Sequence, residues 1–180
     1  MRPTEAVDSE DVGDDLAGED CAAGTDHRLI VVDRSFVAAN ARELERMRAL
    51  VSRLSDRQLG EMVNEYWSVA GVLGHIAFWD GLALYLAGKL HRGEPFTASE
   101  NEPGDVDWIN DSSRPLIHAI APRAVAELAV SIAEETDELL ASLQDELLAG
   151  LDETSPLNPV RADHRAEHLD EIEAAIRPRT

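Results

Sequence analysis

The chain has 180 residues, enough for one domain with a real core, and a formal net charge of -20. That charge disfavours nucleic acid and anionic membranes as partners, and the lone cysteine, Cys21, excludes a disulfide framework and a zinc knuckle. Abundant Ala, Leu and Glu with few aromatics favour helices over strands. No run reaches the roughly 18 apolar residues of a membrane span, and Met1 to Glu5 lack the basic and apolar regions of a leader. The expectation is a reduced, soluble, cytoplasmic protein, with room for a homodimer.

Residues 1 to about 26 are acidic, dotted with Gly and poor in large apolar side chains. They bury too little surface to offset their ordering entropy, so residues 1–34 are read as a disordered acidic tail and 35–180 as the folded domain. Removing 1–26 is expected to change neither stability nor metal content. Cys21 has no basic neighbour to activate it, and Leu29 to Val32 form a short apolar run, either a strand-like arm or the lead-in to the first helix.

Ser35 is the expected cap of that helix, whose apolar positions Phe36, Val37, Leu44, Met47, Val51 and Leu54 recur every three or four residues. Ser55 to Gly60 break it. Ser68 caps a second helix from Val69 to about Ala87, apolar almost all round and so expected to be the most buried, with His75 its only basic residue before Lys89. His91 to Arg114, rich in Gly, Pro, Asp and Ser, reads as a long connection with short helical turns near Asp107 to Asn110. Pro122 starts a third helix carrying Val125, Leu128, Ile132, Leu139, Leu143 and Leu147, ended by Gly150. Asn158-Pro159 is a start signal for the fourth, which runs to about Ile176. The predicted fold is all-α: a four-helix bundle with a long crossover connection between its second and third helices.

In the fourth helix Val160, His164, His168, Ile172 and Ile176 follow at steps of four and share one core-facing stripe. Two imidazoles one turn apart can aim at one point, and His75, on an otherwise apolar helix, is the obvious third donor. Three buried rings without a ligand would be costly, so His75, His164 and His168 are the predicted metal ligands. Zn is the default ion, with Ni, Fe and Mn also open to three imidazoles. At about 100° per residue, Arg165 lies about 80° from the stripe centre, where a zinc protease helix carries its Glu, and Glu167 lies as far on the other side. Peptide hydrolysis is therefore not expected. Glu171, about 40° off the stripe, is a second-shell partner, a fourth ligand or a solvated carboxylate. Arg161 either meets an anionic substrate group or is an exposed helix-start charge.

The stretch Trp67-Ser68-Val69-Ala70-Gly71-Val72-Leu73-Gly74-His75-Ile76 resembles the second-helix signature of the DinB family. The ending His164-x-x-x-His168-Leu169-x-x-Ile172 is similar to that family's last-helix signature, with Leu54-Ser55-Asp56 and Asp107-x-x-Asn110 in matching order. The likeness covers about Ser35 to Ile176 and implies a bundle with a crossover and a metal site on the same three histidines. It also implies a metal-dependent transferase of a low-molecular-weight thiol, mycothiol or bacillithiol, or a related mycothiol-dependent maleylpyruvate isomerase. On that reading the metal lowers the thiol's pKa, and the thiolate attacks an electrophile in a cleft walled by Trp79, Tyr85 and the 91–114 connection. The alternative is a non-catalytic metal- or ligand-binding stress or interaction protein of the same fold.

Overall fold

The computed structural model describes residues 31–101 and 106–177. Residues 1–30 of the predicted tail, Cys21, Leu29 and Ile30 among them, lie outside the described residues. Val31 to Arg34 are non-helical, and Val32 packs partly on the core.

Among the described residues no strand forms; a single antiparallel bridge joins Met62 to Ser68. The first helix, α1, spans Ser35–Arg53. Ser35 is its first residue and does not cap it: the Asp33 carboxylate instead accepts from the Ser35 amide at 2.8 Å and its hydroxyl at 3.1 Å. A charged acceptor two residues upstream outcompetes the hydroxyl. The break at Ser55 to Gly60 holds one further turn, α2 (Asp56–Leu59), closed by a reciprocal Ser55–Gln58 capping box. Ser68 caps α3 (Val69–His91) as expected, its hydroxyl accepting from the Gly71 amide at 3.0 Å.

α3 is long and apolar enough to cross a membrane by length and composition, contrary to the expectation that no run is. Most of its surface is covered by neighbouring helices, which makes it the core helix of a bundle. One face, carrying Phe78, Leu82 and Tyr85, stays exposed.

The 91–114 connection is more ordered than its composition predicts. It contains α4 (Ala98–Asn101) and the first nine residues of a 13-residue helix, α5 (Val106–His118), which runs on past the predicted end through Pro115. Lys89, buried near the end of α3, donates to both Glu100 oxygens at 2.9 and 2.6 Å, while Glu100 also accepts from the Thr97 amide. Ile117 anchors α5 on α3 at Gly74, where a Cβ would lie 2.4 Å from Ile117 Cγ2 and 2.8 Å from Val125 Cγ2. Only glycine admits α5 and the next helix so close.

Pro122 opens α6 (Pro122–Ser142) as predicted. The helix does not reach Gly150: Leu143 is extended and buried, and a separate turn, α7 (Asp145–Ala149), follows. Arg34 holds this break, donating to the carbonyls of Ala141 and Leu143 and to Asp145. The buried stripe of α6 runs through Val125, Ala126, Ala129, Ala133, Thr136 and Leu140, whereas Leu128 is exposed. Small residues bring α6 close to α3, and the larger Leu128 turns outward.

The last helix, α8, spans Ala162–Ala175, so Asn158-Pro159 is not its start. Asn158 closes a local turn by accepting from the Val160 amide at 2.9 Å. The cap comes from another helix. Asn40 of α1 accepts from the amides of Arg161 and Ala162, each at 2.9 Å, and donates to the Pro159 carbonyl at 3.0 Å.

The four longest helices close a ring in which α3 packs on α6, α6 on α1, α1 on α8 and α8 on α3. The chain is thus an all-α bundle with α4 and α5 in the crossover, and α5 leans on α3.

Candidate metal centre and its cavity

His75 projects from the middle of α3 and His164 and His168 from α8, so two helices distant in sequence must pack to assemble the trio. They do. Ring centroids are 5.2 Å apart for His75–His164 and 4.7 Å for each of the other two pairs. One ligand atom from each ring lies within 4.8 Å of the other two, and His75 Nε2 is 3.2 Å from His164 Nε2. Two nitrogens each about 2.05 Å from one tetrahedral ion sit about 3.3 Å apart, so this spacing suits a shared cation.

The surroundings of each ring also fit a metal. His164 presents Nε2 to His75, while its Nδ1 is buried with no hydrogen-bond partner among the described residues. His168 is oriented by Glu171, whose Oε2 is 2.9 Å from its Nδ1. Burial, followed by the charge of His168, pulls His75 down to about 4. Burial, then His168 and Arg161, pulls His164 down to about 3. Both rings are neutral at pH 7, with lone pairs available to an ion.

The trio forms one wall of a cavity of about 460 Å³ that also includes Trp67, Trp79, Asn110, Arg161 and Glu171. Trp67 and Trp79 meet His75 edge-on, at centroid distances of 5.7 and 6.3 Å. The Trp79 indole donates to Asn110 Oδ1 at 3.1 Å, and through it α5 becomes part of the wall. Tyr85 is not in this lining: it is 55% exposed, six residues beyond Trp79 and therefore turned about 120° around α3. Arg161 is not the exposed helix-start charge. Its side chain is 12% exposed, and its Nε donates to Asp80 Oδ1 at 2.9 Å.

Behind the trio lies a buried ion network that the sequence reading missed. Arg165, fully buried, donates through Nε to Asp80 Oδ2 at 2.8 Å and through both amino groups to Asp137 at 2.8 and 2.9 Å. Its remaining contacts are the carbonyls of Asn40 and Ala133. One signal for it was present: Asp80 is the sole acidic residue between Val69 and His91, and a carboxylate on so apolar a helix requires a buried cation. Glu167, by contrast, is simply exposed.

The sequence profile of the DinB superfamily matches residues 39–172, a span holding all three histidines and most of the bundle ring. The chain belongs to the DinB superfamily. Comparison with curated proteins and with solved structures gave no significant match. The DinB match and the histidine triangle are both compatible with a metal-binding protein of this superfamily.

Proposed function

We propose that this DinB protein is a metal-dependent small-molecule transferase that moves a low-molecular-weight thiol of the mycothiol or bacillithiol type onto an electrophilic substrate. The observation that supports it is the triangle of His75, His164 and His168 in the wall of a 460 Å³ cavity, a volume suited to small molecules. Three protein nitrogens, rather than four ligands, are the donor set of a catalytic centre that keeps a position for substrate. A divalent ion held there, with Zn as the default and Ni, Fe or Mn as alternatives, would supply Lewis-acid activation of a thiol or of water. Around it, Glu171 fixes the His168 ring, and Asn110 holds the Trp79 indole so that Trp67 and Trp79 keep bulk water from one side of the trio. Thiols of this type place the reaction in a reducing bacterial cytoplasm.

The test is elemental analysis of purified protein, followed by thiol conjugation to a generic aryl halide. One equivalent of divalent metal per chain is expected, with conjugation falling at least 100-fold in His168→Ala or after chelation. Protein that holds no metal overturns the reading. Metal-loaded protein that conjugates none of the thiols assigns the chain instead to the non-catalytic, metal- or ligand-binding class.

A further inference from the structure

We infer that the Arg161 end of the cavity is a carboxylate-recognition subsite, so that the substrate attacked beside the histidine triangle carries a carboxylate. The inference rests on reading this cavity as the reaction site.

Arginines elsewhere in the fold show what a purely structural guanidinium does here. Arg165 uses Nε and both amino groups on two carboxylates and two backbone carbonyls. Arg123 and Arg34 likewise donate to the last carbonyls of α1 and α6 as well as to an aspartate. Arg161 is different. Asp80 takes its Nε, and no described residue accepts from Nη1 or Nη2, although the side chain is nearly buried and lines the cavity. Holding a guanidinium by Nε leaves its two amino groups as a forward-facing pair, the geometry that receives both oxygens of a carboxylate.

Placement and charge support the same ligand. Arg161 lies three residues before His164, about 4.5 Å along the axis of α8. A carboxylate held there leaves the next few atoms of a small molecule beside the trio. Glu171 stands at the other end of the same lining, ten residues and about 15 Å further on. It would repel a carboxylate placed in the reverse sense, so the two residues give the cavity a polarity.

The experiment is titration of benzoate and its neutral isostere benzamide into the full chain, metal-free and zinc-loaded. Binding is followed by the indole N–H resonance of Trp79. Benzoate is expected to bind at least tenfold more tightly than benzamide in both forms, and Arg161→Gln to bring the two together while the fold remains. Arg161→Lys keeps a cation beside Asp80 but loses the paired amino groups, and it should weaken benzoate several-fold and leave benzamide unchanged. Equal binding of the two probes by the native protein, or unchanged benzoate affinity in Arg161→Lys, overturns the inference. Thiol conjugation without a benzoate preference overturns this subsite alone, whereas a benzoate preference without conjugation overturns the transferase reading alone.

Discussion

Two polar clusters sit side by side between α3 and α8, one built on the fully buried Asp80 and Arg165 and one at the cavity wall. In the Asp80–Arg165–Asp137 network, Arg165 uses Nε and both amino groups, and the carboxylates are paired with good geometry. In the histidine triangle, two nitrogens face each other at 3.2 Å and a third, His164 Nδ1, has no partner. A completed network has nothing left to offer a ligand, so its role is to fix α8 against α3 and α6. An incomplete one has ring nitrogens left to give to a ligand. Satisfaction of the polar groups, more than their burial, separates the structural cluster from the chemical one.

If that distinction holds, the two clusters should fail differently. Arg165→Ala strands the fully buried Asp80 carboxylate with Arg161 alone and leaves Asp137 without its bidentate partner. It should cost about 3–5 kcal/mol in urea unfolding of the metal-free protein. A loss below about 1 kcal/mol would place this network with exposed ion pairs and sink the comparison.

The triangle should instead be sensitive to protons. His75 and His164 have native pKa values below that of the unfolded chain, so below pH 6.5 the unfolded state binds more protons and native stability falls. The loss runs from pH 6.5 down to about 4, where His75 also protonates in the native state, and His164 extends it to about 3. Metal-free protein should lose several kcal/mol across that window. In His75→Leu/His164→Leu the slope should flatten, and an equally steep slope in that variant would assign the titration to other groups.

The same contrast explains what could be read in advance. His75, His164 and His168 were legible because their spacing puts them on helix faces that are otherwise apolar, and periodicity reports faces directly. Ser68 and Pro122 were legible because each acts within its own helix. What was not legible depends on partners remote in sequence. Leu143 leaves the helical path where Arg34, over 100 residues away, receives the carbonyls that the break exposes. α5 forms in a stretch rich in Asp, Ser and Pro because Ile117 and Asn110 find α3. Tyr85 shares α3 with Trp79 but faces about 120° away from it, so nearness in sequence does not place it in the cleft. Arg165 looked unremarkable beside two histidines until Asp80 was seen opposite it.

The smallest expected effect belongs to the residue that links the two clusters to the rest of the bundle. Asn40, buried on α1, supplies the cap that α8 lacks, reaching two amides at its start and the carbonyl of Pro159. Asn40→Ala should cost about 1–2 kcal/mol, the upper part of the range for a lost helix cap, because the abandoned amides are inside the protein. Asn40→Asp keeps the acceptor and loses the donor to Pro159, and should recover part of that loss. The position of α8 sets where His164 and His168 meet His75, so the Ala variant should also weaken zinc binding, measured by competition with a chelator, several-fold. A variant that loses stability but binds zinc as tightly as the native chain would mean that the buried network, without the cap, is enough to hold the helix in register.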